Sequence, residues 1–117
     1  MTLPLNIAML RGAYDYLASS APFSKWNMPD GDDVTFRVIR APSCLGQYYR
    51  DKKNRHVIAI SSRVVGHTFT LLTTMAHEMV HLYQAQSGME NAAQHNRAFL
   101  KLALRVCKLH GFDPKAF

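Results

Sequence analysis

Residues 68–86, which read TFTLLTTMAHEMVHLYQAQ, decide how this chain folds and where its chemistry lies. At about 100° per residue, the apolar residues of this segment fall on one side of a helix and the polar residues on the other. The apolar side carries Leu71, Leu72, Met75, Met79 and Leu82, and the polar side carries Thr70, Thr73, Thr74, His77, His81 and Gln84. The segment therefore predicts an amphipathic helix, which Gly88 is well placed to terminate.

Two histidines on the polar side have the spacing of metal ligands. His77 and His81 are four residues apart, so on a helix both imidazoles point the same way and can reach one Zn²⁺ ion at about 2.1 Å. Glu78 lies about 100° around the helix from His77, where it can meet a water molecule at the metal without binding the metal itself. Zinc lowers the pKa of water toward about 7, and a carboxylate beside it can take the proton. The run therefore predicts two metal ligands and the general base of a hydrolytic site.

The third ligand has to come from further along the chain, because a catalytic zinc usually has three protein ligands and one open position. Ser87 stands where the longer motif HExxHxxGxxH would supply a histidine, so that arrangement is excluded. His95 is the favoured candidate, since it falls in the first turn of a predicted last helix that can fold back antiparallel to the motif helix. Glu90, in the connecting loop, stays open as an acidic alternative.

The last helix is expected to begin at Asn91, with Gln94 three residues on as in a capping box, and to end at Gly111. Before the motif helix, apolar residues at steps of three and four predict a helix over residues 3–20.

Three strands are expected between the first helix and the motif helix. Residues 34–40 alternate apolar and polar side chains, and residues 45–50 and 56–61 are two further strand-like runs. Together they predict a three-stranded antiparallel sheet. The whole chain then reads as an α+β protein of the zincin-like minimal type, and at 117 residues it is expected to be a single domain over residues 1–117.

The composition indicates the broad class of protein and its cellular compartment. Cys44 and Cys107 form no CxxC motif and are read as two unpaired thiols in a reducing compartment. No apolar run approaches the length of a membrane span, and residues 1–4 lack the basic and apolar regions of a signal peptide. A cytoplasmic protein without a membrane partner is therefore expected.

The net charge of +6 permits binding to a polyanion such as DNA. The densest cationic group is Arg50, Lys52, Lys53 and Arg55 at the expected hairpin tip between the second and third strands. This group is read either as a solvated turn or as a phosphate-contacting loop.

Two runs of sequence carry a resemblance to a known family. Residues 75–82, which read MAHEMVHL, and residues 95–99, which read HNRAF, resemble the SprT-like family of zinc metalloproteases and its Spartan-related catalytic core. Residues 45–49 leading into residues 56–61 also resemble the strand pair that precedes the active-site helix in that family. The resemblance covers about residues 34–112, and more loosely the first helix, and it implies Zn²⁺ held by His77, His81 and His95.

The chain departs from the family pattern in two places. Asn96 replaces the glycine that usually follows the third histidine, and the C-terminal zinc ribbon is missing because two cysteines cannot build a four-cysteine site.

The leading functional hypothesis is a zinc-dependent metalloendopeptidase that hydrolyses peptide bonds of protein substrates, with DNA-associated proteins among the candidates. One alternative is a basic DNA-binding protein with a structural or inactive zinc site. Another is a regulator-cleaving HExxH protease that uses Glu90 as its third ligand. The substrate and the oligomeric state are left open.

Overall fold

The computed structural model describes residues 5–89 and 93–117, and its elements run in the order helix, three strands, helix, helix. The elements are α1 (Ile7–Ala18), β1 (Val34–Ile39), β2 (Gly46–Arg50), β3 (His56–Ser61), α2 (Thr68–Ser87) and α3 (Arg97–His110). The predicted α+β class is confirmed. Within the described ranges, no helix is both long and apolar enough to cross a membrane.

The motif helix α2 has nearly the bounds that the sequence predicts. It begins at Thr68 and ends at Ser87, one residue later than expected, and Gly88 follows in the left-handed conformation with φ 71°. A residue without a Cβ adopts that conformation at little cost, which is why glycine ends helices in this way. Helix α1 begins at Ile7, where the side chain of Asn6 accepts a hydrogen bond from the backbone N–H of Met9 at 2.9 Å.

The predicted start of the last helix is wrong. Helix α3 begins at Arg97, and Asn96 is its N-cap, because the Asn96 side chain accepts a hydrogen bond from the backbone N–H of Phe99 at 2.9 Å. Asn91 lies outside the described residues, and Gln94 lies in a turn before the helix. His95 is therefore in the turn just ahead of the cap rather than in the first turn of the helix. Gly111 ends α3 as expected.

The sheet is mixed, which corrects the expectation of a purely antiparallel one. Its order is β1-β3-β2; β2 pairs with β3 antiparallel, as the predicted hairpin requires, but β1 pairs with β3 in parallel. Apolar–polar alternation shows which face of β1 is buried but not the direction of its partner. The central strand β3 is the most buried, with five successive buried residues from Val57 onward.

Helix α2 packs against α1, α3 and the sheet, and its apolar side forms the middle of the core. As the helical projection predicts, Leu71, Met75, Met79 and Leu82 are buried. The core also takes residues from α1, the sheet and α3, namely Leu10, Tyr14, Leu17, Phe36, Ile58, Ile60, Phe99 and Val106. Burial of one side of α2 on all these elements leaves its polar side to face clefts at the surface.

Gly46 allows strand β2 to lie directly against the motif helix. A Cβ at this position would be 2.9 Å from the backbone oxygen of Ala59 and 3.1 Å from a methyl carbon of Thr74 on α2. The first of these contacts is with backbone in the neighbouring strand, which cannot move aside cheaply. Gly46 therefore sets the close approach of the edge strand to α2.

We expect Gly46→Ala to lower the free energy of unfolding by about 1–3 kcal/mol, because the added methyl group overpacks the junction of β2 with α2. Gly12→Ala is the matched control: nothing lies within 4 Å of the Cβ added there, in the middle of α1. It should raise the free energy of unfolding by about 0.5–1 kcal/mol. Urea titration of both variants measures this, and equal effects of the two substitutions would contradict the packing argument.

Candidate metal centre

Three histidines converge on one cleft. The candidate ligand nitrogen atoms of His77, His81 and His95 all lie within 4.8 Å of one another. Their ring centroids are 5.0–5.2 Å apart in every pair. Three imidazoles are a donor set of catalytic zinc sites, and a tetrahedral ion with bonds of about 2.1 Å holds its ligand atoms about 3.4 Å apart. Small side-chain rotations bridge that difference, so the three histidines are close enough to bind one metal ion.

Phe99 packs against all three imidazoles. Its ring centroid lies 4.5 Å from that of His81, 4.6 Å from that of His95 and 5.0 Å from that of His77. The Phe99 side chain is buried in the first turn of α3, so it forms a fixed apolar wall beside the rings. In the sequence, Phe99 stands out only as part of a family motif. The structure shows that it packs against the three imidazoles.

A backbone oxygen fixes the tautomer of His77. Nδ1 of His77 lies 2.8 Å from the main-chain oxygen of Phe117, and because that oxygen accepts, Nδ1 carries the proton. The unprotonated Nε2 is then left for a metal. Ligating histidines commonly donate their second ring N–H to a carbonyl in this way, which orients the ring and makes the ligand nitrogen more basic.

A buried amide pair ties the turn with His95 to the motif helix. The Gln84 side chain is 2% exposed, and its Nε2 donates to Oδ1 of Asn96 at 2.9 Å. Nδ2 of Asn96 in turn donates to the backbone oxygen of Met89 at 3.1 Å. Asn96 thus caps α3 and holds the adjacent His95 beside α2. We call this contact the Gln84–Asn96 clamp.

The clamp was missed from the sequence, although one signal points to it. Gln84 lies three residues after His81, on the same polar side of the helix, where a polar side chain needs a partner if it is buried. The replacement of glycine by Asn96 was noted only as a departure from the family pattern. In the structure the Oδ1 atom of Asn96 is that partner, because it accepts from Nε2 of Gln84.

Glu78 lies in the same cleft but is almost completely withdrawn from solvent. It is 5% exposed, and burial raises the pKa of its carboxyl to about 8. A general base or acid works best when its pKa is close to the working pH, because it can then both take and return a proton. The carboxyl group is therefore placed and poised for proton transfer.

Burial acts on the histidines in the opposite direction, since it disfavours their protonated form. It lowers the pKa of His77, and burial together with the neighbouring imidazoles lowers the pKa of His81 to about 4. Both rings are consequently neutral at pH 7, which is the state that binds a metal ion.

The cleft that these residues share has a volume of about 550 Å³, and we call it the metal cleft. It is lined by residues 46–49 of β2, by His77, Glu78, His81 and Gln84 of α2, by residues 93–96 and by Cys44. Both tyrosines of β2 have hydroxyl partners: Tyr48 with Nδ1 of His56 at 2.6 Å, and Tyr49 with Arg37 at 2.8 Å. The predicted alternative ligand Glu90 lies outside the described residues.

The basic tip between β2 and β3 is a charged turn, as the sequence suggests. Arg55 pairs with Asp51 at 3.0 Å, and Arg50 donates to Asn54 at 3.2 Å. Arg50, Lys52, Lys53 and Arg55 are all exposed. Their predicted contact with DNA stays a prediction.

The fold and the site define a class: a small α+β domain whose HExxH helix and third histidine meet in one cleft, the zincin-like arrangement. A family model described as the SprT-like family matches residues 18–116, and the chain belongs to that family. The match confirms the resemblance seen in the two motif runs and extends it from residue 18, the last residue of α1, to residue 116. A search of curated proteins finds no match to this sequence.

We expect Gln84→Ala to weaken Zn²⁺ binding about 10- to 100-fold, because His95 loses its attachment to α2. Gln86→Ala is the matched control on the same helix, where Gln86 donates to the backbone oxygen of Asn27 and lies outside the metal cleft. Competition with a chromophoric chelator measures the affinities, and circular dichroism confirms that both variants are folded. Wild-type affinity in a folded Gln84→Ala protein would show that the clamp does not position His95.

Proposed function

We propose that this protein is a zinc-dependent metalloendopeptidase that hydrolyses peptide bonds in protein substrates. The observation that carries the proposal is that three imidazoles and one buried carboxyl group line the same open cleft. His77, His81 and His95 would hold the metal, and Glu78 would be the general base. Membership of the SprT-like family supports the same assignment.

Zinc in such a site supplies Lewis acidity, which lowers the pKa of water and polarises a carbonyl group. The protein supplies the proton transfers. Glu78 lies in the cleft beside His77 and His81, where it would take a proton from the attacking water and return it to the amine that leaves. The fixed rings of His77 and His81 and the clamp on His95 keep these groups in place, so little reorganisation is needed during reaction.

Strand β2 supplies a place for the peptide. It is the edge strand of the sheet, and in the described part of the chain no strand pairs with its outer side. Successive side chains of a strand point to opposite faces, so the lining of the cleft by all of residues 46–49 means that the strand's edge borders it. An extended peptide can pair with such an edge through main-chain hydrogen bonds. Because these bonds involve only backbone atoms, they can hold peptides of many different sequences.

The basic turn at the far end of this hairpin extends the proposal to substrates associated with DNA. Arg50, Lys52 and Lys53 are exposed cations at the end of the same strand that borders the cleft. A phosphate backbone bound there would bring proteins attached to it close to β2.

The proposal is tested by zinc analysis together with cleavage of casein and histones, with and without single-stranded DNA. We expect wild type to bind one zinc and to cleave in a chelator-sensitive manner. Glu78→Gln should keep the zinc but lose activity at least about 100-fold, because the base is gone while the ligands remain. His77→Ala should lose both zinc and activity.

Three outcomes would overturn parts of this assignment. Undiminished, chelator-sensitive cleavage by Glu78→Gln would remove Glu78 as the base. Salt-sensitive DNA binding by a wild-type protein that cleaves nothing would favour a DNA-binding protein with a structural zinc. If Glu90→Ala lowers zinc affinity more than His95→Ala does, the third ligand is acidic.

A further inference from the structure

A second pocket opens beside the metal cleft. It has a volume of about 310 Å³ and shares His77 and Gly46 with the lining of the metal cleft, so the two cavities adjoin at these residues. We call it the apolar pocket. Its other lining residues are Leu45, Phe69, Thr70, Thr73, Thr74, Ala116 and Phe117.

The walls of the apolar pocket are largely hydrocarbon, and they are held in place by aromatic contacts. Phe69 packs edge-to-face on Phe112 at 5.9 Å, Phe112 stacks on Phe117 at 6.0 Å, and Phe117 lies 5.3 Å from the ring of His77. Phe69 is nevertheless 63% exposed and Leu45 45% exposed. Large apolar side chains exposed around a formed cavity next to a reactive site are typical of a binding surface.

Among the described residues that line the apolar pocket, no side chain is that of an aspartate, glutamate, lysine or arginine. Thr73 lines the pocket, and its hydroxyl donates to the backbone oxygen of Phe69 at 2.9 Å, so the hydroxyl group already has a partner within the helix. Thr73 lies four residues, or about 6 Å along the helix axis, before His77. Consecutive residues of a peptide are 3.8 Å apart, so a residue next to the bond held at the metal can place its side chain here.

We propose that the apolar pocket selects substrates with a large apolar side chain, of the size of leucine, methionine or phenylalanine, next to the bond that is cut. This inference rests on the proposed endopeptidase function and deepens it. Main-chain pairing to β2 accepts most sequences, whereas a pocket of this volume beside His77 accepts one side chain and excludes charged ones. Thr73 is then a specificity-determining residue.

The test uses the zinc-loaded protein and a series of peptides that differ only at the residues on either side of one cleavable bond. We expect wild type to cleave the leucine, methionine and phenylalanine peptides at least about 10-fold faster in kcat/KM than the alanine and aspartate peptides at one of these positions. Thr73→Phe fills the pocket, and it should lower kcat/KM for the leucine peptide at least 10-fold more than for the alanine peptide.

Thr68→Phe is the matched control, because Thr68 is on the same helix but outside both cavities, and it should leave the preference unchanged. Zinc content and melting temperature of each variant show that it is folded and loaded. Cleavage without a side-chain preference, or a preference that survives in loaded Thr73→Phe, would overturn the pocket assignment and leave the endopeptidase intact. A zinc-loaded wild type that cuts no peptide or protein would overturn both.

Discussion

The hydrogen bond between Gln84 and Asn96 links the two parts of the chain from which a metal centre would have to be built. Helix α2 supplies two imidazoles by its own periodicity, but the third comes from a turn that follows the described end of α2. Asn96 joins that turn to α2 and starts α3 with the same side chain, since its Oδ1 accepts both from Gln84 and from the backbone of Phe99. The start of α3, the position of Phe99 behind the rings and the position of His95 therefore depend on one another.

Burial also determines the protonation states of the groups in the metal cleft. Burial of α2 in the core favours the uncharged form of three titratable groups that line the metal cleft, namely His77, Glu78 and His81. It keeps His77 and His81 neutral and raises the pKa of Glu78 to about 8. Perturbed titratable groups in a cleft are a common mark of functional sites, because folding alone gains nothing from a buried ionisable group. The stability of the domain must come instead from the apolar side of the same helix.

The parts of the fold and of the site that depend on local sequence patterns could be predicted from the sequence. The bounds of α2 came within one residue, because apolar periodicity and a terminating glycine act inside the segment itself. The start of α3 could not be predicted in this way, since Asn91 and Asn96 are both able to cap a helix. In the structure Asn96 is the residue that caps α3. Its contact with Gln84 of α2 is a tertiary interaction, which local sequence patterns do not reveal. The direction of β1 was missed for a related reason, since alternation is the same whichever way the neighbouring strand runs. The grouping of His77, His81 and His95 was expected, whereas the Phe99 wall and the Phe117 carbonyl needed the tertiary structure.

The central claim is that three imidazoles from two separate segments share one metal ion. X-ray absorption at the zinc edge of the loaded protein tests it most directly, because it reports the ligands themselves. We expect a four-coordinate ion with three imidazole nitrogens and one further oxygen at about 2.0–2.1 Å. A sulfur ligand at about 2.3 Å, which Cys44 in the metal cleft could supply, would contradict it. So would a spectrum that contains only two imidazoles.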